Sequence, residues 1–454
     1  MNTSERKIGL FGTVSLSVGL VIGASMFVLI PSVVSMTGTG AVLAYILAGI
    51  PIAFGCFSAM QIAGTFPTTG GSYLMSTMYA SPSISFSISA TQTGAIWATL
   101  CFQAYAAAAY IQLYLPSVSA QVIALIIIVL FGILNLIGVD IVSWIQTAMV
   151  VFLVILTVVF IGGGLSISDA ANYTPMMPNG FSLFTMSVGI AVFSWLGLST
   201  VSSYAGEIKN PSKTIPKAIL ISLVILAAAY AFVALVFSGA YPMSEIGAAG
   251  TTVASDIVTK FGGTVLVHVF NIAIIFAILT TVNACYMIAS REMVAWAEQK
   301  TGPAIFGKLN PKTNVPTTNV LITLIFTVIF AFFAMSLQEY ALVMVFPVIL
   351  YQIIQAYACL RMTKIDPERY NKSFIKLSKG VLIFSLIGNT VLGIMIMYFT
   401  YTAGTNSAYI ALIMLILGFV WYYARSSYLK KKGIDLNSVV KQVNKAAQQQ
   451  MDNQ

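Results

Sequence analysis

Apolar residues in this chain do not alternate with polar ones. They come in unbroken runs separated by short polar stretches. A helix needs about 20 apolar residues to cross the hydrocarbon of a bilayer, and about twelve runs of that kind can be marked. They lie at approximately 10–31, 39–62, 85–114, 119–138, 141–164, 183–205, 216–239, 263–290, 317–336, 340–360, 380–400 and 407–425. Only helices and closed barrels satisfy their own backbone inside lipid, and runs of this length predict helices. The pattern therefore predicts an all-α membrane protein with about twelve transmembrane helices. The fourth and fifth runs meet tightly near Asn135–Asp140. Arg6 and Lys7 precede the first run much as in a signal peptide. That run has no small-residue cleavage site near its end and is followed by many more, so it reads as an uncleaved first span.

Composition agrees. The chain has 454 residues, of which 58% are hydrophobic and 8% charged. A soluble domain carries about 25% charged residues, so lipid has to be the main solvent here. The net charge of +9 is not gathered into a stripe or an RNA-binding signature, which argues against a nucleic-acid partner. The basic residues fall in alternate loops instead. Lys209, Lys213 and Lys217 follow span 6, and Arg291, Lys300, Lys308 and Lys312 follow span 8. Arg361, Lys364, Arg369, Lys372, Lys376 and Lys379 follow span 10, and Arg425 and Lys430 to Lys432 follow span 12. The opposite loops hold only Lys260, beside Asp169, Glu245, Asp256 and Glu339. The positive-inside rule then places both termini in the cytoplasm. The expected division is a transporter domain over 1–428 and a polar cytoplasmic tail over 429–454, disordered or a short surface helix. Cys56, Cys101, Cys285 and Cys359 all sit in apolar segments without metal spacing and read as small buried hydrophobes. No metal, cofactor, P-loop or nucleophile–base set is legible, which argues against an enzyme or an ATP-driven pump.

Two spans carry glycine where a helix is weakest. Span 1 reads Val18-Gly19-Leu20-Val21-Ile22-Gly23-Ala24-Ser25-Met26-Phe27. Glycines four apart fit close helix packing as well as an unwound segment. Span 6 reads Phe193-Ser194-Trp195-Leu196-Gly197-Leu198-Ser199-Thr200. Interruptions in corresponding spans of two halves point to a transporter site built on an inverted repeat, since irregular backbone at membrane depth needs a cavity or protein around it. Such a site suits a zwitterion. The N–H groups that open the following half-helix bind a carboxylate, and freed carbonyls before the break accept from an ammonium group.

Four motifs in order make the chain resemble the amino acid–polyamine–organocation (APC) transporter superfamily. Gly23-Ala24-Ser25-Met26-Phe27 is similar to that superfamily's Gly-Ser/Ala-Gly-Ile-Phe, and Phe66-Pro67-Thr68-Thr69-Gly70-Gly71-Ser72-Tyr73 to its Phe-Pro-x-x-Gly-Gly-x-Tyr. Gly206-Glu207-Ile208-Lys209-Asn210-Pro211-Ser212-Lys213-Thr214-Ile215-Pro216-Lys217 is the most specific match. Ser290-Arg291, followed by Ala295, Ala297 and Lys308-Leu309-Asn310-Pro311-Lys312-Thr313, completes the set. The resemblance implies a LeuT-type 5+5 inverted repeat over about 9–165 and 183–362, with discontinuous helices 1 and 6 and peripheral spans at 380–427. It implies amino acids as substrates, held by backbone groups. The carboxylate would lie on the N–H groups of Ala24 and Ser25 after Gly23. The amino group would lie on the carbonyls of Val21, Phe193 and Leu196, the last two before Gly197, with Phe193 or Trp195 closing over the substrate. Two departures bear on coupling: Ser199 stands where many relatives carry a Glu, and Leu153 where many carry a Lys.

An ionisable side chain inside a membrane is expensive and marks function. Hardly any fall within the marked runs. His268 near the outer end of span 8 is a candidate proton site, or a helix-end histidine bonded to a neighbour. Glu207 and Asp140 at cytoplasmic helix ends read as caps or ion-pair partners. Thr280 and Thr281 offer hydroxyls to a sodium ion, or to their own helix. With no evident interior carboxylate to meet a basic side chain, small neutral amino acids are the expected substrates. The sequence thus predicts an integral membrane permease or exchanger, in a prokaryotic plasma membrane, moving an amino acid with a proton, a sodium ion or a counter-substrate. The alternatives are a polyamine or cationic amino acid antiporter, and a non-transporting amino-acid sensor.

Overall fold

The computed structural model describes residues 8–66, 71–138, 143–199, 201, 208–402 and 406–452. The described chain is helical, with one isolated bridge between Ile8 and Ile208. The first half comprises α1 (Leu10–Val21), α2 (Ala24–Thr37), α3 (Gly40–Thr65), α4 (Gly71–Tyr79), α5 (Pro82–Gln112), α6 (Ala120–Ile137) and α7 (Ser143–Ser166). The second comprises α8 (Gly180–Ser194), α9 (Pro211–Ala240), α10 (Met243–Ala249), α11 (Val253–Glu298), α12 (Thr317–Ala331) and α13 (Leu337–Ile365). After these come α14 (Pro367–Lys372), α15 (Lys379–Thr402), α16 (Ser407–Lys430) and α17 (Leu436–Asp452). Among the described residues, eight helices are long and apolar enough to cross a membrane, and five shorter apolar helices accompany them.

Local chemistry sets the ends. Ser119 caps α6 by accepting from Val122 N–H at 3.3 Å. Ser336 and Glu339 form a capping box at the start of α13. Pro82, Pro211 and Pro367 open their helices, where a missing N–H costs nothing. The marked run at 263–290 proves to be part of a longer helix. α11 continues to Glu298, with a break in backbone angle at Gly263, where φ is +67°. Charge ends a hydropathic run but not a helix.

Polarity is inverted relative to a soluble protein. The outward faces are apolar, as at Val224, Val265 and Leu417, which are all exposed. The interior is packed with small residues instead. Ala95, Ala98, Ala104, Ala106, Ala107 and Ala108 of α5 are all buried, and they let α6, α11, α13 and α16 approach it closely. On the other side α3 packs on α8 and α9, α2 on α8, and α1 on α7 and α9. The segments around Val21 and Ser194 thus lie between these two sets of helices. α17 buries Leu436 and Val440 against residues of α4, α11 and α16. There Asn444 Oδ1 accepts from Gln299 at 2.9 Å and its amide donates to Thr77 at 3.3 Å.

Candidate functional site

α1 ends at Val21, and Ile22 turns out of helix with ψ of 96° while its N–H still bonds Val18 O at 2.8 Å. Gly23 is extended, at φ −136° and ψ −149°. α2 then begins at Ala24, and no side chain caps its start. The first N–H groups of a helix have no acceptor within it, so those of Ala24 and Ser25 are available to a ligand. α8 stops at Ser194. A turn follows in which Leu196 N–H bonds Phe193 O at 3.1 Å and Gly197 takes φ of +106°.

The two chain ends are tied together by one side chain. Tyr230, fully buried on α9, places its hydroxyl 2.6 Å from Ser194 O and 3.3 Å from Val21 O. Its ring stacks on Tyr45 of α3 at 5.1 Å and tilts against Trp195 at 5.4 Å. Trp195 in turn donates its indole N–H to Tyr45 O at 3.0 Å. The indole fills the space above Gly49, where a Cβ would come within 2.7 Å of the ring.

Between the breaks and α5, α11 and α13 lies a cavity of about 270 Å³. Val21, Gly23, Ser25, Phe193, Trp195, Leu196 and Gly197 all line it, as does Ser199. Ala24 opens α2 beside it. Phe193 meets Phe102 edge-on at 4.8 Å. Thr281 lines the cavity near Gly23, whose hypothetical Cβ would stand 3.4 Å from Thr281 Oγ1. The hydroxyls of Thr280 and Thr281 both donate to Ala277 O, at 2.8 and 3.1 Å. His268 is exposed at the other end of α11, with Nδ1 3.0 Å from Tyr114 Oη, away from the cavity. Leu153 is buried in the apolar core. Asp140, Thr200 and Glu207, with motif residues 67–70 and 202–206, lie outside the described residues.

Three cavity groups escaped the sequence reading. Gln103 Oε1 and Thr93 Oγ1 of α5 and Ser194 Oγ of α8 line it, buried and with no hydrogen-bond partner among the described residues. Buried polar atoms are normally paired, so these mark where a polar ligand fits. The signal was present, since α5 carries an unusual density of Ser, Thr and Gln for an apolar span.

A fourth group corrects an expectation. The interior was expected to lack a carboxylate, yet Glu292 lines the cavity. The marked run stopped at 290, but α11 continues, and positions 281, 285, 288 and 292 share one helical face. Glu292 accepts from Ser89 Oγ at 2.6 Å, and Ser89 Oγ accepts from Trp296 Nε1 at 2.9 Å.

Residues 8–421 match the amino acid permease family. The chain belongs to that family. The permease is accordingly a transporter and an integral membrane protein, and not an enzyme. It is similar to the branched-chain amino acid permease BcaP of Bacillus subtilis, at 23% identity over 335 residues, covering 69% of this chain and 71% of the relative. It is similar also to the cationic amino acid transporter 9 of Arabidopsis thaliana chloroplasts, at 25% identity over 329 residues, covering 67% of this chain and 58% of the relative. A methylthioribose transporter of Bacillus subtilis shares 26% over 344 residues, 70% of this chain and 73% of that one.

Proposed function

We propose that the permease carries small neutral amino acids by alternating access, holding the substrate on backbone groups at two helix breaks. One observation carries the reading. The ends at Val21–Gly23 and Ser194–Gly197 line one cavity, joined through Tyr230, with unpaired polar atoms around them. The carboxylate goes to the N–H groups of Ala24 and Ser25 at the positive end of α2. The ammonium goes to the carbonyls of Val21, Phe193 and Leu196, with Gln103 Oε1 within the same lining. Phe193 rather than Trp195 has a ring free to cover the substrate, because the indole is pinned on Tyr45 and Gly49. The two breaks fall in corresponding places of two repeats, about 9–165 and 183–362, with α15 and α16 peripheral. The loop charges favour cytoplasmic termini, and the short loops and compact length fit the plasma membrane of a prokaryote.

Glu292 raises a second reading, since a carboxylate favours cationic substrates or polyamines. It lies about 16 Å along α11 from Thr281 at the helical rise per residue. A lysine side chain extends only about 6 Å by its bond lengths. A basic amino acid or a short diamine held at the breaks does not reach it, whereas an extended triamine or tetramine does. Uptake of a labelled panel into proteoliposomes, empty and preloaded, separates these. Saturable, stereoselective transport of alanine-sized substrates supports the first reading. Transport of spermidine or spermine with no amino acid carried replaces it with the second.

A further inference from the structure

Glu292 has no part in the recognition just described, yet it lines the same cavity. Among the described residues no cationic nitrogen lies within ion-pair distance of it. Its surroundings are ordered around one oxygen. The indole N–H of Trp296 can only donate, so Ser89 Oγ accepts from it and commits its single hydrogen to Glu292 Oε1. Oε2 receives no hydrogen bond from a described residue.

The side chains sharing this end of the cavity are neutral: Ser72 of α4, Gln92 of α5, and Tyr351 and Gln355 of α13. The titratable groups facing Glu292 are the phenols of Tyr73 on α4 and Tyr351 on α13, with Tyr422 of α16 behind Phe86, and the thiol of Cys285 on α11 itself. Phenols and thiols are ordinarily neutral near pH 7. The charged residues of the same region, Arg291, Glu298 and Lys300, are exposed, and Arg425 is held on the carbonyls of Lys300 and Gly302. No other carboxylate, and no lysine, arginine or histidine, lines the cavity among the described residues.

A transport cycle has to close this end of the cavity and open it again. Enclosing a bare carboxylate among neutral groups is costly, and the charge is removed most simply by a proton. A metal ion would need several oxygen ligands around it, whereas a proton needs one free carboxylate oxygen. We propose that Glu292 is the proton-binding site that couples this permease to a proton gradient. Oε2 takes up one proton from the opposite side while this end is closed and returns it to water when the end opens to the cytoplasm. The carboxylate becomes a carboxylic acid and back again, and no bond to the substrate forms or breaks. The cavity runs from the breaks to Glu292, so a proton entering past the substrate site reaches the carboxylate through the same space. One proton then accompanies each amino acid inward.

This inference rests on the transport reading above, and two assays on one preparation keep them apart. The full chain is reconstituted, with labelled alanine or whichever member of the panel is carried. Exchange into preloaded vesicles without a gradient reports transport, and accumulation in empty vesicles under an imposed inward proton gradient reports coupling. Wild-type exchange is expected to fall as pH rises, and each unit of pH gradient to support up to about tenfold accumulation at one proton per substrate. Glu292→Gln, which imitates the protonated group, should exchange without pH dependence and lose gradient-driven accumulation. Ser89→Ala removes the donor that favours the ionised form, so its exchange should fail only at a higher pH than wild type. Glu292→Gln accumulating like wild type, a Ser89→Ala profile superimposed on wild type, or accumulation driven by sodium at fixed pH each overturns the assignment. Absence of exchange for every amino acid removes the transport reading, and the coupling with it.

Discussion

Gly197 offers the sharpest test of the proposed substrate site. Its φ of +106° is closed to L side chains, because Cβ would collide with the neighbouring carbonyl. Gly197→Ala adds the least possible volume and so isolates the backbone effect. Strain of this kind costs about 1–3 kcal/mol. The chain relieves it by returning φ to negative values, which extends α8 and turns the backbone of 196–199 away from the cavity. If that cost falls on the binding-competent form, apparent affinity drops by about 5- to 150-fold. Gly197→Leu adds four carbons to a cavity of about 270 Å³ and should abolish transport altogether. The assay is exchange in preloaded proteoliposomes, with KM and maximal rate measured separately and size-exclusion chromatography confirming a folded protein. Alanine should raise KM within that range with little change in maximal rate. A monodisperse Gly197→Leu variant that transports like wild type would refute the reasoning.

Other perturbations probe the remaining parts of the site. Tyr230→Phe leaves the Ser194 and Val21 carbonyls without their shared donor, a loss of about 1–3 kcal/mol that should lower thermal stability and raise KM together; unchanged values for both would remove Tyr230 from the account. Gln103→Leu removes the proposed acceptor for the substrate ammonium, and about 1.5–3 kcal/mol for a bond to a charged group corresponds to roughly a 10- to 150-fold rise in KM. An unaltered KM would show that Gln103 faces something other than the substrate. Gly49→Val forces a Cβ to within 2.7 Å of the Trp195 ring, and such overpacking costs about 1–3 kcal/mol in melting experiments. Trp195→Phe in the same chain should recover part of that loss, and strictly additive effects would mean that the two residues do not press on each other.

The apolar helices were legible because run length is a direct physical requirement of lipid. The break in the first span was legible only in part. Gly19 and Gly23 looked equivalent, but Gly19 lies within α1 and only Gly23 stands at the interruption. The distinction depends on what approaches each glycine, and Thr281 comes from a helix more than 250 positions away. Tyr230 left no trace in any local pattern, because its meaning lies in two carbonyls 36 and 209 positions distant. Glu292 was hidden for a different reason. Hydropathy records where lipid ends, while helix propensity carried α11 on to Glu298 and turned a loop-like charge into a cavity wall. The tail was read by its Gln and Asn content, which obscured the spacing of Leu436, Val440 and Asn444 along one face of α17.

A hydroxyl has one hydrogen to give, and Tyr230 stands before two acceptors. At 2.6 Å Ser194 O holds that hydrogen, and Val21 O at 3.3 Å is served less well. The two halves of the site are therefore rivals for a single proton donor. On the proposed recognition the ammonium meets Val21 O, the carbonyl that Tyr230 serves less well, while Ser194 O is already answered from within the protein. One fixed hydroxyl thus leaves the two helix ends unequal as acceptors before any ligand arrives, with no helix having to move.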